Sequence, residues 1–143
     1  MTISSRKIFI ESSLMLAFID RANLKHLKSV QILELLAHHR YQVYTSDIVI
    51  LQTFNAIERD LGSTVANDFL HAILESDIQI LYAGESNFLM AFRYLKANPG
   101  YRSSLSNIIT TDLMQKHNIS SVLTFDFWPN LMGILVSNLI TVT

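Results

Sequence analysis

Residues 7–20 join a short apolar run to a carboxylate and a pair of serines, and this stretch constrains the fold more than any other. Residues 8–10 have the composition of a fully buried β-strand. Glu11 follows that strand directly, and Ser12 and Ser13 can begin a helix behind it. A charge beside an apolar strand is costly unless water, a partner or a metal ion meets it. The stretch therefore predicts either a strand that simply ends at the surface or a polar site at a sheet edge.

Strand-like and helix-like segments alternate over the whole chain. The predicted strands cover residues 8–10, 41–45, 78–82, 121–125 and 134–142, the last at the sheet edge. The first predicted helix covers residues 12–20, and Asn23 is predicted to cap the second. The third covers residues 48–61, after a start signal at residues 45–47, and the fourth covers residues 65–74, with Ser63 or Thr64 as its cap. The last two cover residues 85–96 and a segment that begins at Ser104 or Ser106 and ends at His117. Because residues 48–51 are all apolar, we expect the helix they begin to be central. The alternation predicts an α/β fold with a parallel sheet and helices on both faces.

The composition narrows the class of protein. A length of 143 residues predicts a single domain, residues 1–143, with a sizeable core. Half of the residues are apolar and 16% are charged, which indicates a surface that pairs with a partner. The net charge of −1 gives no basic field for nucleic acid. The absence of Cys, of a signal peptide and of an apolar run near the roughly 18 residues of a membrane span predicts a cytoplasmic protein with no membrane association.

Two of the predicted strands are followed by a carboxylate. Glu11 ends the first strand, and Asp126 follows the fourth. The carboxyl ends of parallel strands lie on one rim of the sheet, where ligands bind in open α/β folds. We therefore expect Glu11 and Asp126 to face one site, although they stand far apart in sequence.

Several motifs in this order resemble the PIN-domain family, the nuclease fold of VapC-like toxins in bacterial toxin–antitoxin pairs. They are Ile8-Phe9-Ile10-Glu11-Ser12-Ser13, the Asp20-x5-His26 spacing, the strand-to-helix run at residues 45–52, Ser104-Leu105-Ser106-Asn107, and Leu123-Thr124-Phe125-Asp126. The resemblance covers nearly the whole chain. It implies a three-layer α/β/α fold with a mostly parallel four- or five-stranded sheet. It further implies a homodimer, an antitoxin-like protein partner, and a Mg²⁺- or Mn²⁺-dependent ribonuclease activity.

The chain departs from the family in its acids. The family's four acids would map onto Glu11, Gln52, Asn107 and Asp126, so that two are amides and the first is lengthened from Asp to Glu. PIN-domain carboxylates hold the metal ion that activates water and neutralises charge on the phosphodiester. The resemblance thus implies Glu11 and Asp126 as catalytic residues and metal ligands, with Gln52, Asn107, Ser13 and Thr124 lining the site. Fewer carboxylates predict weak metal binding and weakened or lost catalysis.

Three functions remain open from the residues. The chain could be a Mg²⁺-dependent ribonuclease, a catalytically silent module that binds RNA, or a protein-interaction domain. Asp47 and Asp112 are the acids that could replace the two amides, although Asp112, five residues after Asn107, points away from it on a helix. Trp128 could stack on a base, or it could cover the end of the sheet.

Overall fold

A parallel sheet forms the centre of the molecule. The computed structural model describes residues 6–101, 104–126 and 128, and the backbone of residues 135–136. Within these residues the strands are β1 (Lys7–Ile10), β2 (Gln42–Ser46), β3 (Gln79–Leu81), β4 (Ser121–Leu123) and β5 (Leu135–Val136). Their order is β3-β2-β1-β4-β5, and every pair is parallel. The remainder of the predicted last strand, residues 134–142, lies outside the described residues.

Helices cover the sheet on both faces. They are α1 (Ser12–Ile19), α2 (His26–His38), α3 (Asp47–Leu61), α4 (Ser63–Glu75), α5 (Glu85–Ala97) and α6 (Leu105–Lys116). Helix α1 packs against α2 and α3, α3 packs against α4, and α5 packs against α6. The predicted three-layer α/β/α fold with a parallel sheet is confirmed. None of the helices in the described part of the chain combines the length and apolar character needed to span a bilayer.

Strand β1 lies in the middle of the sheet and explains why the rim is built around Glu11. Ile8, Phe9 and Ile10 are each at most 1% exposed. Burial of such a side chain contributes roughly 1.5–3 kcal/mol. β1 pairs with β2 on one side and β4 on the other, and the backbone N–H of Glu11 continues the ladder to the carbonyl of Leu123 over 3.0 Å. The position of Glu11 is therefore fixed by the best-buried strand.

The helix starts agree with the sequence at α3 and differ at α2 and α4. Ser46 caps α3 by accepting from the N–H of Val49 over 3.2 Å. Asn23 does not cap α2, because its side chain accepts from the N–H of Lys25 in the turn before that helix. The predicted caps Ser63 and Thr64 lie inside α4. Gly62 is both the C-cap of α3 and the N-cap of α4. Its φ of +96° is a backbone conformation that a polar capping residue would adopt only with strain.

Helix α3 is buried on one face, which differs from the expected central helix. Val49, Thr53 and Ile57 are buried, whereas Leu51 is 59% exposed. Its outer apolar face borders a cleft of about 470 Å³ between α3, α4 and β3, here called the α3–α4 cleft. It is lined by Asp47, Ile50, Leu51, Phe54, Leu70, Leu74, Ile80 and Tyr82. The apolar start of α3 therefore provides surface as well as core.

Helices α2 and α6 end in the same way before entering β2 and β4. After α2, the N–H of Tyr41 donates to Leu36 over 3.0 Å and that of Arg40 to Ala37 over 3.2 Å. After α6, Ile119 and Asn118 make the equivalent bonds. These pairs form Schellman motifs, whose turn residue is left-handed. The turn residues are Arg40, at φ +56°, and Asn118, at φ +57°. Asparagine tolerates this left-handed conformation better than arginine does.

Candidate metal site at the carboxyl edge of the sheet

Glu11 begins α1 with its own side chain. It is the N-cap residue of the helix, and its carboxylate Oε2 accepts from the backbone N–H of Ser13 over 3.0 Å. The same oxygen accepts the hydroxyl of Ser13 over 2.7 Å. The other oxygen, Oε1, accepts the hydroxyl of Ser12 over 2.5 Å. The Glu-Ser-Ser sequence thus folds the carboxylate back onto the helix that follows it.

Strand β4 brings a third hydroxyl to the same carboxylate. Thr124 is 2% exposed, and its Oγ1 donates to Glu11 Oε2 over 2.6 Å. The N–H of Phe125 donates to the Ser13 hydroxyl over 2.7 Å, and the N–H of Asp126 donates to the Thr124 hydroxyl over 3.0 Å. Each of these hydroxyls accepts one backbone hydrogen and passes its own to Glu11. Bonds to a charged acceptor are about twice as strong as neutral ones, so this network holds the Glu11 side chain in place between α1 and the end of β4.

Asp126 faces Glu11 as the second carboxylate of the rim. The residue is more exposed than Glu11. Partial burial of its carboxyl group raises the pKa of Asp126, and the negative charge of Glu11 raises it further. That Glu11 and Asp126 form one site stays a prediction, which the effect of the Glu11 charge on the Asp126 pKa supports.

The two amides lie on helices that begin at or near the rim. Gln52 is exposed on α3, next to Thr53, whose hydroxyl approaches the Met15 sulfur of α1 at 4.0 Å. Asn107 is half-buried in the first turn of α6, where its N–H donates to the Ser104 hydroxyl over 3.2 Å. That Gln52 and Asn107 gather with Glu11 and Asp126 around one ion stays a prediction.

The acids that could have replaced the amides are used elsewhere. Asp112 is 3% exposed, and its Oδ2 accepts Asn87 Nδ2 over 2.9 Å and pairs with Lys116 Nζ over 3.0 Å. Asp47 Oδ1 accepts the N–H of Ile48 over 2.8 Å and that of Ala83 over 3.1 Å. Both carboxylates therefore connect secondary-structure elements.

Sequence reasoning found most of the hydroxyl network and missed part of it. Ser13 and Thr124, predicted to line the site, both donate to Glu11, and their place in a metal site stays a prediction. Ser12 was expected only to help begin a helix, and the Glu-Ser-Ser run was the signal for its second role. Trp128 is 7% exposed and belongs to the main core cluster, so its ring is not open for stacking on a base.

No family model matches the sequence, and no curated protein matches it significantly. Solved structures do match. VapC20 of Mycobacterium tuberculosis, a Sarcin-Ricin loop cleaving toxin, superposes with a TM-score of 0.72 at 19% identity, covering 83% of this chain and 89% of VapC20. VapBC2 of Rickettsia felis, bound to a DNA fragment from its promoter, gives 0.66 at 15% identity, covering 87% and 95%. FitAcB of Neisseria gonorrhoeae gives 0.62 at 16%, covering 85% and 88%.

These three structures are PIN-domain proteins. The chain has the PIN-domain fold. The fold resemblance stated from the motifs is therefore confirmed over more than four-fifths of the chain. Because the sequence identities are only 15–19%, these similarities establish the fold of the chain and nothing about its activity.

The side chains at the rim of this PIN fold offer the oxygen ligands that a hard divalent cation needs, but they include too few carboxylates to balance its charge. Mg²⁺ and Mn²⁺ take oxygen ligands, and the rim offers carboxylate and hydroxyl oxygens. Glu11 Oε2, however, already accepts three hydrogen bonds. No group of three or more acidic, His or Cys side chains placed to hold a metal occurs among the described residues. The residues therefore fit a divalent cation weakly.

Proposed function

We propose that this chain is a single-domain, toxin-type PIN protein, similar to Mg²⁺-dependent ribonucleases of toxin–antitoxin systems, whose catalysis is weakened or lost. The observation that carries this proposal is the state of Glu11. Its carboxylate holds four hydrogen bonds from its own protein, and one other carboxylate, Asp126, faces it. In this proposal Glu11 and Asp126 are the catalytic residues and metal ligands, and Gln52 and Asn107 complete the site with neutral oxygens.

The magnitude of the charge loss supports weak metal binding. A carboxylate beside a divalent ion gains several kcal/mol at an effective dielectric constant of about 20, before desolvation is counted. Loss of two such interactions lowers affinity by a few powers of ten, each worth about 1.4 kcal/mol. The added methylene of Glu11 also moves its oxygens by roughly 1 Å, a displacement that can cost about a hundredfold in rate. Two carboxylates can still hold Mg²⁺ weakly when RNA phosphates complete its shell.

Restoration of the acids tests this proposal. Gln52→Glu with Asn107→Asp should raise Mn²⁺ affinity in calorimetry by more than either single change, because both carboxylates act on one ion. Adding Glu11→Asp should increase cleavage of single-stranded RNA with Mg²⁺. The matched control is Gln79→Glu with Asn67→Asp, which adds the same two charges at exposed positions on β3 and α4.

Two results would contradict the proposal in different ways. If the native protein cleaves single-stranded RNA with Mg²⁺ and Asp126→Ala abolishes this cleavage, the site is intact and catalysis is not weakened. If the restored protein folds without any gain in Mn²⁺ affinity, the amides do not belong to a metal site. The second result would favour a protein-interaction module.

A protein partner is favoured by the α3–α4 cleft. Its rim carries Leu51, Leu74 and Tyr82, which are 59%, 61% and 69% exposed. A cluster of large exposed apolar side chains marks an interaction surface. VapBC2 and FitAcB, which share the fold, are toxin–antitoxin complexes. We assign the cleft to a homodimer, and an antitoxin-like protein is the partner that the toxin-type role implies.

Sedimentation velocity at micromolar concentration tests the homodimer. The native protein should sediment as a dimer, and Leu51→Glu should sediment as a monomer because it places a charge in the cleft. Leu27→Glu is the matched control, since Leu27 is 76% exposed on α2 and does not line the cleft. A native protein that is monomeric throughout would refute the dimer.

A further inference from the structure

A second cavity lies beside α2 and the central strands of the sheet, with Ile10 of β1 among its lining residues. It has a volume of about 440 Å³ and lies between the end of α2 and the beginnings of β2 and β3. Leu33, Leu36, Val43 and Ile78 give it an apolar wall. Arg40 and Asp77 also line it, and both are exposed to solvent. Cavities of about 300–1,000 Å³ with apolar walls and a few polar groups are typical of small-molecule sites.

The two charged residues of this cavity are not paired with each other. The ion pairs of the described residues are Arg59–Asp60 and Lys116–Asp112. Within that part of the chain, neither the Arg40 guanidinium nor the Asp77 carboxylate has a hydrogen-bond partner. Arg6 does not line the cavity itself, but its guanidinium carbon lies 5.6 Å from the centre of the ring of Tyr41, which does. Among the residues that line the cavity, one cation and one anion, Arg40 and Asp77, therefore have unpaired side chains.

The backbone gives an independent reason to single out Arg40. It occupies the left-handed position of the motif that ends α2, at φ +56°. The same position after α6 is held by Asn118, a residue that adopts this conformation more readily. An arginine at such a position is unfavourable for the turn, which points to a role for its side chain.

We propose that this cavity binds a free α-amino acid with a large apolar side chain, such as leucine. Arg40 receives the carboxylate, Asp77 receives the ammonium group, and the apolar side chain contacts the wall formed by α2 and β2. Asp77 disfavours polyanions such as RNA, and Arg40 disfavours simple amines. The combination of one cation, one anion and an apolar wall selects a zwitterion with an apolar body. None of the residues in this proposal belongs to the candidate metal site. The proposal therefore does not depend on the proposed ribonuclease-like function.

The experiment titrates the full-length protein with L-leucine and follows the backbone amide signals of Val43 and Ile78 by NMR. Three analogues dissect recognition: 4-methylpentanoate lacks the ammonium group, isopentylamine lacks the carboxylate, and glycine lacks the apolar body. We expect saturable shifts with leucine and at least about tenfold weaker binding of each analogue, since charge-assisted bonds carry most of the polar recognition.

The variants locate the site. Arg40→Asn removes the cation and keeps a residue that suits the left-handed turn, and Asp77→Asn removes the anion. Each should weaken leucine binding at least about tenfold. Asp68→Asn, an exposed carboxylate on α4 that does not line the cavity, should leave binding unchanged.

Three outcomes would overturn the assignment. One is the absence of saturable shifts up to the solubility limit of leucine. Another is binding of 4-methylpentanoate or isopentylamine as tight as that of leucine. The third is unchanged leucine binding in Arg40→Asn and Asp77→Asn. If a single-stranded RNA oligonucleotide shifts the same amides, Arg40→Asn weakens that effect and leucine causes none, the cavity belongs to a nucleic-acid surface instead.

Discussion

Two strand-to-helix junctions at the same edge of the sheet use carboxylates in different ways. At the end of β1, Glu11 caps α1 and accepts one backbone N–H and three hydroxyls. At the end of β2, Ser46 caps α3 and Asp47 accepts two backbone N–H groups, from Ile48 and Ala83. Both junctions stabilise a helix start, yet only the first gathers side chains from a distant strand.

The difference lies in the kind of donor. The backbone N–H groups on Asp47 are fixed by the chain, so this carboxylate connects α3 to the segment after β3 permanently. The hydroxyls on Glu11 can rotate toward another acceptor. A ligand at the first junction can therefore take over hydrogen bonds that the protein makes in its absence. A carboxylate after a strand therefore acts as a structural clamp where its donors are backbone N–H groups, as at Asp47, and can exchange partners where its donors are hydroxyls, as at Glu11.

The largest effect is expected from Glu11→Ala. It removes a helix cap, worth about 0.5–2 kcal/mol, and leaves the Ser13 and Thr124 hydroxyls without their acceptor, at about 1–3 kcal/mol. Relief of repulsion with exposed Asp126 offsets less than about 1 kcal/mol. Urea denaturation should show a net loss of about 2–4 kcal/mol through a lower midpoint. Glu34→Ala, at an exposed position on α2, should change stability by less than about 0.5 kcal/mol. A loss below about 1 kcal/mol for Glu11→Ala would mean that the network does not stabilise the fold.

A smaller effect separates the junctions directly. Asp47→Ala should cost about 1–2 kcal/mol, because it leaves two backbone N–H groups without an acceptor. Asp47→Asn should recover most of this loss, since one amide oxygen can accept both bonds. Glu11→Gln should recover only part of the loss seen in Glu11→Ala, because both of its oxygens accept hydroxyls and the negative charge strengthens those bonds. If urea denaturation showed that Asp47→Asn and Glu11→Gln recover the same fraction of the stability lost in the alanine variants, the two carboxylates would not differ in the way proposed.

Much of the fold could be predicted from sequence because its signals are local. The apolar run 8–10 and the alternation of strands with helices gave the parallel sheet, and the end of α3 at Gly62 followed from glycine alone. The capping of α4 could not be predicted, since Gly62 makes the reversal in one residue by adopting φ +96°, a choice that depends on how α3 and α4 pack.

The candidate site could be predicted from sequence in its location more than in its bonding. Glu11 and Asp126 both follow neighbouring parallel strands, and this rule needs only the order of elements. The hydrogen bond from Thr124 to Glu11 depends on the register between β1 and β4, which brings Ile10 opposite Leu123 and which sequence does not show. The other three bonds are local, from Ser12 and Ser13, but the sequence predicts Glu11 as a ligand and not as a helix cap.

The smallest expected effect concerns the charge that faces Glu11. The pKa of Asp126 is raised above its ordinary value of 3.8 by burial and by the charge of Glu11, so the folded protein holds this proton more tightly than the unfolded chain. The stability that this proton contributes is fully present below 3.8 and is lost as the pH rises through the raised folded pKa. At neutral pH the ionised carboxylate therefore opposes folding, and Asp126→Asn should stabilise the protein by less than about 1 kcal/mol, since water screens an exposed side chain. Thermal or urea midpoints should show this gain at neutral pH and lose it as the pH falls to 3.8. In a Glu11→Gln background the gain should shrink, because the repelling charge is gone. A gain that is independent of pH would show that Asp126 acts through packing and not through its charge at the first junction.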